Sequence, residues 1–109
     1  MRRKMELVAS IAALRLEDLE LWISEEIVRP LEQQGEAVFE DKECARIQLV
    51  CTLHYDMEVE TGTLPIILDL IDQLHETRYR LRALGNAVLV QDEPVRRRVL
   101  ERVRTGQAD

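Results

Sequence analysis

Aromatic side chains are scarce in this sequence: Trp22, Phe39, Tyr55 and Tyr79 are the only ones among 109 residues. A core with so few rings must rest on Leu, Ile and Val, which suits amphipathic helices packed by their apolar faces. No apolar run approaches the roughly 18 residues that crossing a bilayer requires. The start, Met1-Arg2-Arg3-Lys4, leads into a mixed segment holding Glu6, without the apolar block of a secretory signal, so a cytoplasmic location is expected. The two cysteines, Cys44 and Cys51, fall on one predicted helix. Seven residues along a helix separate them by about 10 Å, too far for a mutual disulfide, and both read as reduced core residues. With His54 they still lack the CxxC spacing and fourth ligand of a zinc site. Carboxylates are plentiful, but none stands in a recognisable constellation with a nucleophile or a glycine-rich phosphate loop. No enzyme activity, metal or cofactor is expected.

What is present is charge, unevenly spread. Hydrophobic residues make up 46% and charged residues 33%, a globular balance with much solvated helix surface. Between Glu17 and Glu60 thirteen acids face only Arg29, Lys42 and Arg46, a balance of −10 within a net charge of −6. Residues 1–16 carry +3 and residues 63–109 carry +1. A field of this sign repels a phosphate backbone and attracts a basic protein.

Residues 6–13 fit either a strand or a short first helix. From Leu16 to Ile27, the positions Leu16, Leu19, Trp22, Ile23 and Ile27 share one helix face, and Pro30 is expected to end the helix. Gly35 marks a turn, and Ala37-Val38-Phe39 reads as the return strand of a small two-stranded wing. Asp41 can serve as N-cap for a helix whose apolar set is Cys44, Ile47, Val50 and Cys51, with His54 next at helical spacing. After Thr61-Gly62-Thr63, Thr63 can cap a long helix with Pro65 in its first turn, and Gly85-Asn86 is expected to stop it near Leu84. Its seam includes Ile67, Leu70, Ile71, Leu74 and Leu81 at near-heptad spacing, which serves either a dimer or the monomer's own core. His75 sits on this helix as a contact residue. Asp92-Glu93-Pro94 opens a short amphipathic helix, with Val95, Val99, Leu100 and Val103 on one side and Arg96, Arg97, Arg98, Arg102 and Arg104 around them. Those arginines suit nucleic acid, an acidic partner or the acidic middle of the same dimer, and neutralisation within the chain or dimer is favoured.

This order of elements resembles a known superfamily. Leu19-Glu20-Leu21-Trp22-Ile23-Ser24-Glu25-Glu26-Ile27-Val28-Arg29-Pro30 resembles the MerR signature, where a second helix carries Leu-Arg-Tyr-Tyr or Leu-Arg-Tyr-Trp and runs into Gly-Leu-Leu-x-Pro. Phe39 and Asp41, with Ala45-Arg46-Ile47, resemble the aromatic, acidic cap and Arg-Leu/Ile that follow the MerR wing. Within the superfamily, Leu64-Pro65-Ile66-Ile67-Leu68-Asp69-Leu70-Ile71-Asp72-Gln73-Leu74-His75 is similar to the C-terminal helix of chaperone modulators of the CbpM type. The similarity spans roughly residues 14–84, and 86–109 have no counterpart. Glu26-Ile27-Val28 departs from Gly-Leu-Leu, which leaves the turn into the wing without its glycine.

The resemblance implies a mainly α fold, a degenerate MerR-type winged helix-turn-helix over residues 1–62. A long helix over 63–85 would pack on it or on a dimer mate, and a tail over 86–109 would carry the short Arg-rich helix. It implies a non-enzymatic modulator that binds the J-domain of a CbpA/DnaJ-type co-chaperone and restrains its stimulation of Hsp70. Glu20 and Leu21 stand where a MerR recognition helix places Arg and Tyr, so DNA binding is not expected, and a MerR-like regulator is the alternative. The candidate partner-binding residues are Glu17, Asp18, Glu20, Leu21, Trp22, Glu25 and Glu26. For the acids the plain reading is a solvated helix face. For Trp22 it is core packing, with an interface anchor second.

Overall fold

The computed structural model describes residues 1–106. In order it contains β1 (Arg2–Arg3), α1 (Lys4–Ser10), α2 (Leu16–Ser24), β2 (Leu31–Gln33), β3 (Glu36–Phe39), α3 (Asp41–Cys51), a π turn (Thr52–Asp56), α4 (Leu64–Leu89) and α5 (Glu93–Arg104). The chain is mainly helical with one small antiparallel sheet. It divides into two compact units, Met1–Leu68 and Asp69–Asp109, a division that falls inside α4.

The small sheet has three strands where a two-stranded wing was expected, in the order β1-β3-β2. Gln34 (φ 51°) and Gly35 (φ 79°) both take left-handed conformations, the geometry of a tight two-residue hairpin turn between β2 and β3. Val38 then lies opposite both Leu31 and Arg3, and Phe39 opposite Arg2. Two basic residues gave no strand pattern to read; their backbone pairs because the outer edge of β3 would otherwise leave its amides unmatched. The ambiguous segment after them is helical through Ser10. Glu6 Oε1 accepts the Arg3 N–H at 2.8 Å as half of a capping box, and Leu7 is buried.

α2 ends at Ser24, before Pro30 is reached. The Ile27 N–H reaches the Trp22 carbonyl (2.8 Å) and the Glu26 N–H the Ile23 carbonyl (3.0 Å), while Glu26 adopts φ 58°. This is a Schellman stop, usually made by glycine. Glu26, which stands where the resemblance expected the glycine of Gly-Leu-Leu, takes the left-handed conformation without being one. Two side chains of α3 hold the segment that follows: Glu43 Oε2 accepts the Arg29 N–H (2.8 Å), and Arg46 Nε donates to the Ile27 carbonyl (3.1 Å).

Glu40, not Asp41, is the residue at the N-cap of α3, and Asp41 is its first helical residue. Below Cys51 the helix widens by one residue into the π turn, closed by the Met57 N–H on the Thr52 carbonyl at 3.0 Å. Leu53 is thereby buried, while His54 is half-buried. Glu58 (φ 56°) ends this segment left-handed, as Glu26 ends α2.

The core of the first unit centres on Trp22, Phe39, Leu19 and Ile47, closed by Leu64 and Leu68 from the first turns of α4. The Thr63 carbonyl accepts the N–H groups of Ile66 (3.1 Å) and Ile67 (3.4 Å) at the start of that helix. The expected stop at Gly85-Asn86 does not occur, and α4 runs on to Leu89. One glycine costs a helix about 1 kcal/mol, which good formers on both sides, Ala83, Leu84 and Ala87, offset. α5 opens at an Asp92 N-cap with Pro94 in its first turn, as its sequence predicts. Among the described residues no helix is long and apolar enough to cross a membrane.

Candidate protein-binding face

The 3.6-residue period of α2 sorts its side chains. Leu19 and Trp22 are fully buried, and Leu16 and Ile23 half-buried. Glu17, Glu20, Leu21 and Ser24 point outward, with Glu25 at the C-cap and Glu26 just beyond, all exposed. The result is a stripe of carboxylates around an apolar side chain, Leu21, that is 42% exposed. Two of these acids have local cations: Glu20 meets Lys4 Nζ of α1 at 3.4 Å, and Glu17 meets Arg15 Nε at 3.0 Å. Such exposed pairs contribute little and exchange readily for other partners. Glu25 and Glu26 have no ion-pair partner among the described residues.

Two of the seven sequence-predicted residues are occupied elsewhere. Trp22 lies wholly in the core, its ring edge-on to His54 (5.8 Å between centroids) and tilted against Tyr55 (6.1 Å), so it offers no surface to a partner. Its Nε1 is buried without an acceptor. Asp18 is half-buried and takes the hydroxyl hydrogen of Tyr55, whose oxygen also accepts the Arg15 N–H (3.3 Å). This arrangement ties the start of α2 to the π turn. Burial first, and then the hydrogen bond to Asp18, pushes the Tyr55 phenol up to about 12. His54 Nδ1 lies 2.7 Å from the Val59 carbonyl, a contact that places the proton on Nδ1 and holds the ring against Trp22.

Tyr55, Glu43 and Arg46 went unassigned in the sequence. For Tyr55 no spacing signal exists, because an ordinary helix through Asp56 would rotate its side chain by most of a quarter turn away from Asp18. Arg46 was visible only as part of a family-like tripeptide. Cys51 is buried and its thiol is pushed up to about 11 by that burial, with Asp18 and Asp56 adding to the effect; burial raises Cys44 as well. Both are therefore thiols at neutral pH. No group of three or more metal-ligating side chains occurs among the described residues.

Of the seam residues, Ile67 packs against the core of the first unit and Ile71 is half-buried, whereas Leu70, Leu74 and Leu81 are 59%, 47% and 67% exposed. Leu64 and Leu68, one turn before Ile67 and Ile71 on the same helix face, fill the core beside them. Comparison with protein-family models, curated proteins and solved structures yields no match to this chain.

Proposed function

We propose that the protein is a non-enzymatic chaperone modulator of the CbpM type, on a degenerate MerR-like winged helix-turn-helix. It captures the J-domain of a CbpA/DnaJ-type co-chaperone and so restrains stimulation of Hsp70. The observation that carries this reading is the exposed face of α2, where Glu17, Glu20 and Glu25 surround Leu21. A helix reading DNA needs cations at these positions, since phosphate contacts supply most of its affinity. A J-domain presents a basic helix beside its His-Pro-Asp loop. Carboxylates around an apolar centre suit that helix in charge and in layout.

On this reading the binding set is Glu17, Glu20, Leu21, Glu25 and Glu26, which are exposed, while Trp22 is buried and Asp18 holds Tyr55. Reversing Glu17, Glu20 and Glu25 to Lys is expected to weaken a purified J-domain's binding by about a hundredfold and to release its stimulation of Hsp70 ATPase. Unchanged affinity would exclude this surface. The alternative, a MerR-like regulator, draws on the arginines of α5 and on Arg2 and Arg3. Nanomolar, sequence-selective and steeply salt-dependent DNA binding in a gel-shift series would decide for it.

A further inference from the structure

The second unit carries an arginine edge that its own acids leave uncovered. In α5, Arg97 pairs with Glu93 (3.4 Å), Arg104 pairs with Glu101 (2.9 Å), and Arg96 turns to the Gln91 carbonyl (3.4 Å). Arg98 and Arg102 have no acidic partner among the described residues. They stand one helical turn apart, where like charges weaken a helix rather than support it. On the wheel they border Val95 and Val99, and Val99, Leu100 and Val103 are all exposed.

A basic edge beside a modest apolar stripe calls for an acidic surface with an apolar centre. This chain has one: the exposed face of α2, with Leu21 among Glu17, Glu20 and Glu25, inside a stretch whose charge balance is −10. A bilayer is a poorer occupant, since helices that lie in a membrane interface bury large or aromatic side chains, and α5 offers valines and one leucine. Nucleic acid is poorer still, because the acidic stretch would travel with the arginines to the phosphates.

We infer that α5 of one copy docks on the acidic α2 face of a second copy, a self-association that masks the face. The functional consequence rests on the reading of α2 as the partner site. On that reading α5 and the J-domain's basic helix compete for one surface, and the protein holds its own inhibitor.

Sedimentation of the full chain tests the contact without any co-chaperone. Self-association is expected to weaken about tenfold or more as salt rises from about 50 to about 500 mM. Arg98→Glu with Arg102→Glu should abolish it, as should Glu20→Arg with Glu25→Arg, and mixing the two reversed proteins should restore a pair. Arg98→Gln with Arg102→Gln, checked for unchanged helicity, guards against a folding artefact and should give the same loss. Failure of the mixed pair to form, or salt-indifferent association untouched by the arginine changes, overturns the inference. Loss of binding to phosphatidylserine vesicles or to DNA in the arginine variants, with self-association intact, overturns it in favour of those surfaces. In a J-domain assay the arginine variant should bind several-fold tighter than wild type. If neither protein binds a J-domain while charge-swapped pairing succeeds, the chaperone reading fails and the self-contact stands.

Discussion

Tyr55 joins α2 to the π turn through two hydrogen bonds, and its phenol makes the contribution measurable. Tyr55→Phe should cost about 1–2 kcal/mol at neutral pH, the net worth of a pair of partly buried hydrogen bonds. The folded phenol sits near 12, above the ordinary 10, so the folded state holds that proton more tightly than the unfolded chain does. The stabilisation is complete below pH 10 and is lost as pH rises through 12. Denaturant unfolding of both proteins along that range should therefore show the gap closing; a constant gap would refute the linkage. A second test concerns Cys51, buried and raised to about 11. An alkylating reagent at pH 8 should label it in the native protein only at the rate of unfolding, because the thiolate is both scarce and shielded. Fast labelling would mean that α3 opens locally near its end. Trp22 shows how much of this scale the sequence disclosed. Its helix face, set by Leu16, Leu19 and Ile23, gave the core position directly. Its neighbours His54 and Tyr55 did not follow from any pattern, because they reach it through a turn that breaks helical spacing.

At the scale of elements, the two left-handed glutamates are the clearest targets. An L-residue with a side chain pays about 1–2 kcal/mol to stand in the left-handed helical region. Glycine stands there freely but loses part of that gain to its more mobile unfolded chain. Glu26→Gly should therefore raise the stability of the first unit by about 0.5–1 kcal/mol in denaturant unfolding. A loss of stability would mean that the Glu26 side chain contributes something its exposure does not suggest. In α4, Gly85→Ala should stabilise the second half of the helix by about 1 kcal/mol and raise helicity in circular dichroism, since nothing lies within 4 Å of a Cβ placed there. The helices themselves were legible from apolar spacing and from Pro94, while the C-terminal ends of α2 and α4 were not. Pro30 and Gly85 are strong punctuation in sequence, yet α2 stops before the first and α4 passes through the second. Hydrogen bonds at the C-terminus of one helix and flanking formers in the other outweighed the single-residue signals. The third strand escaped for another reason: β1 has no hydrophobic alternation, only the free edge of β3 beside it.

At the scale of the molecule, burial is concentrated in the first unit: among the described residues, every fully buried large side chain lies within Met1–Leu68. Amide exchange at dilutions where the chain is monomeric should follow that division. Amides of α2, β3 and α3 should exchange only with global unfolding, and those of α4 beyond Leu74 and of α5 orders of magnitude faster. Equal protection in both units would show that the second is covered. Charge is divided in a parallel way: fourteen of the twenty-one acids lie in the first unit, and Arg98 and Arg102, without an acidic partner among the described residues, lie in the second. The π turn has a consequence of a different kind. Its wider ring holds one residue more than an α-helical turn would, and that extra residue sets the angle at which His54 and Tyr55 meet Trp22 and Asp18. Deleting a single residue between Thr52 and Asp56 would heal the helix and swing the downstream chain by about 100°. An alignment with a relative lacking that residue must therefore open a one-position gap here, or it will pair every later position with the wrong face.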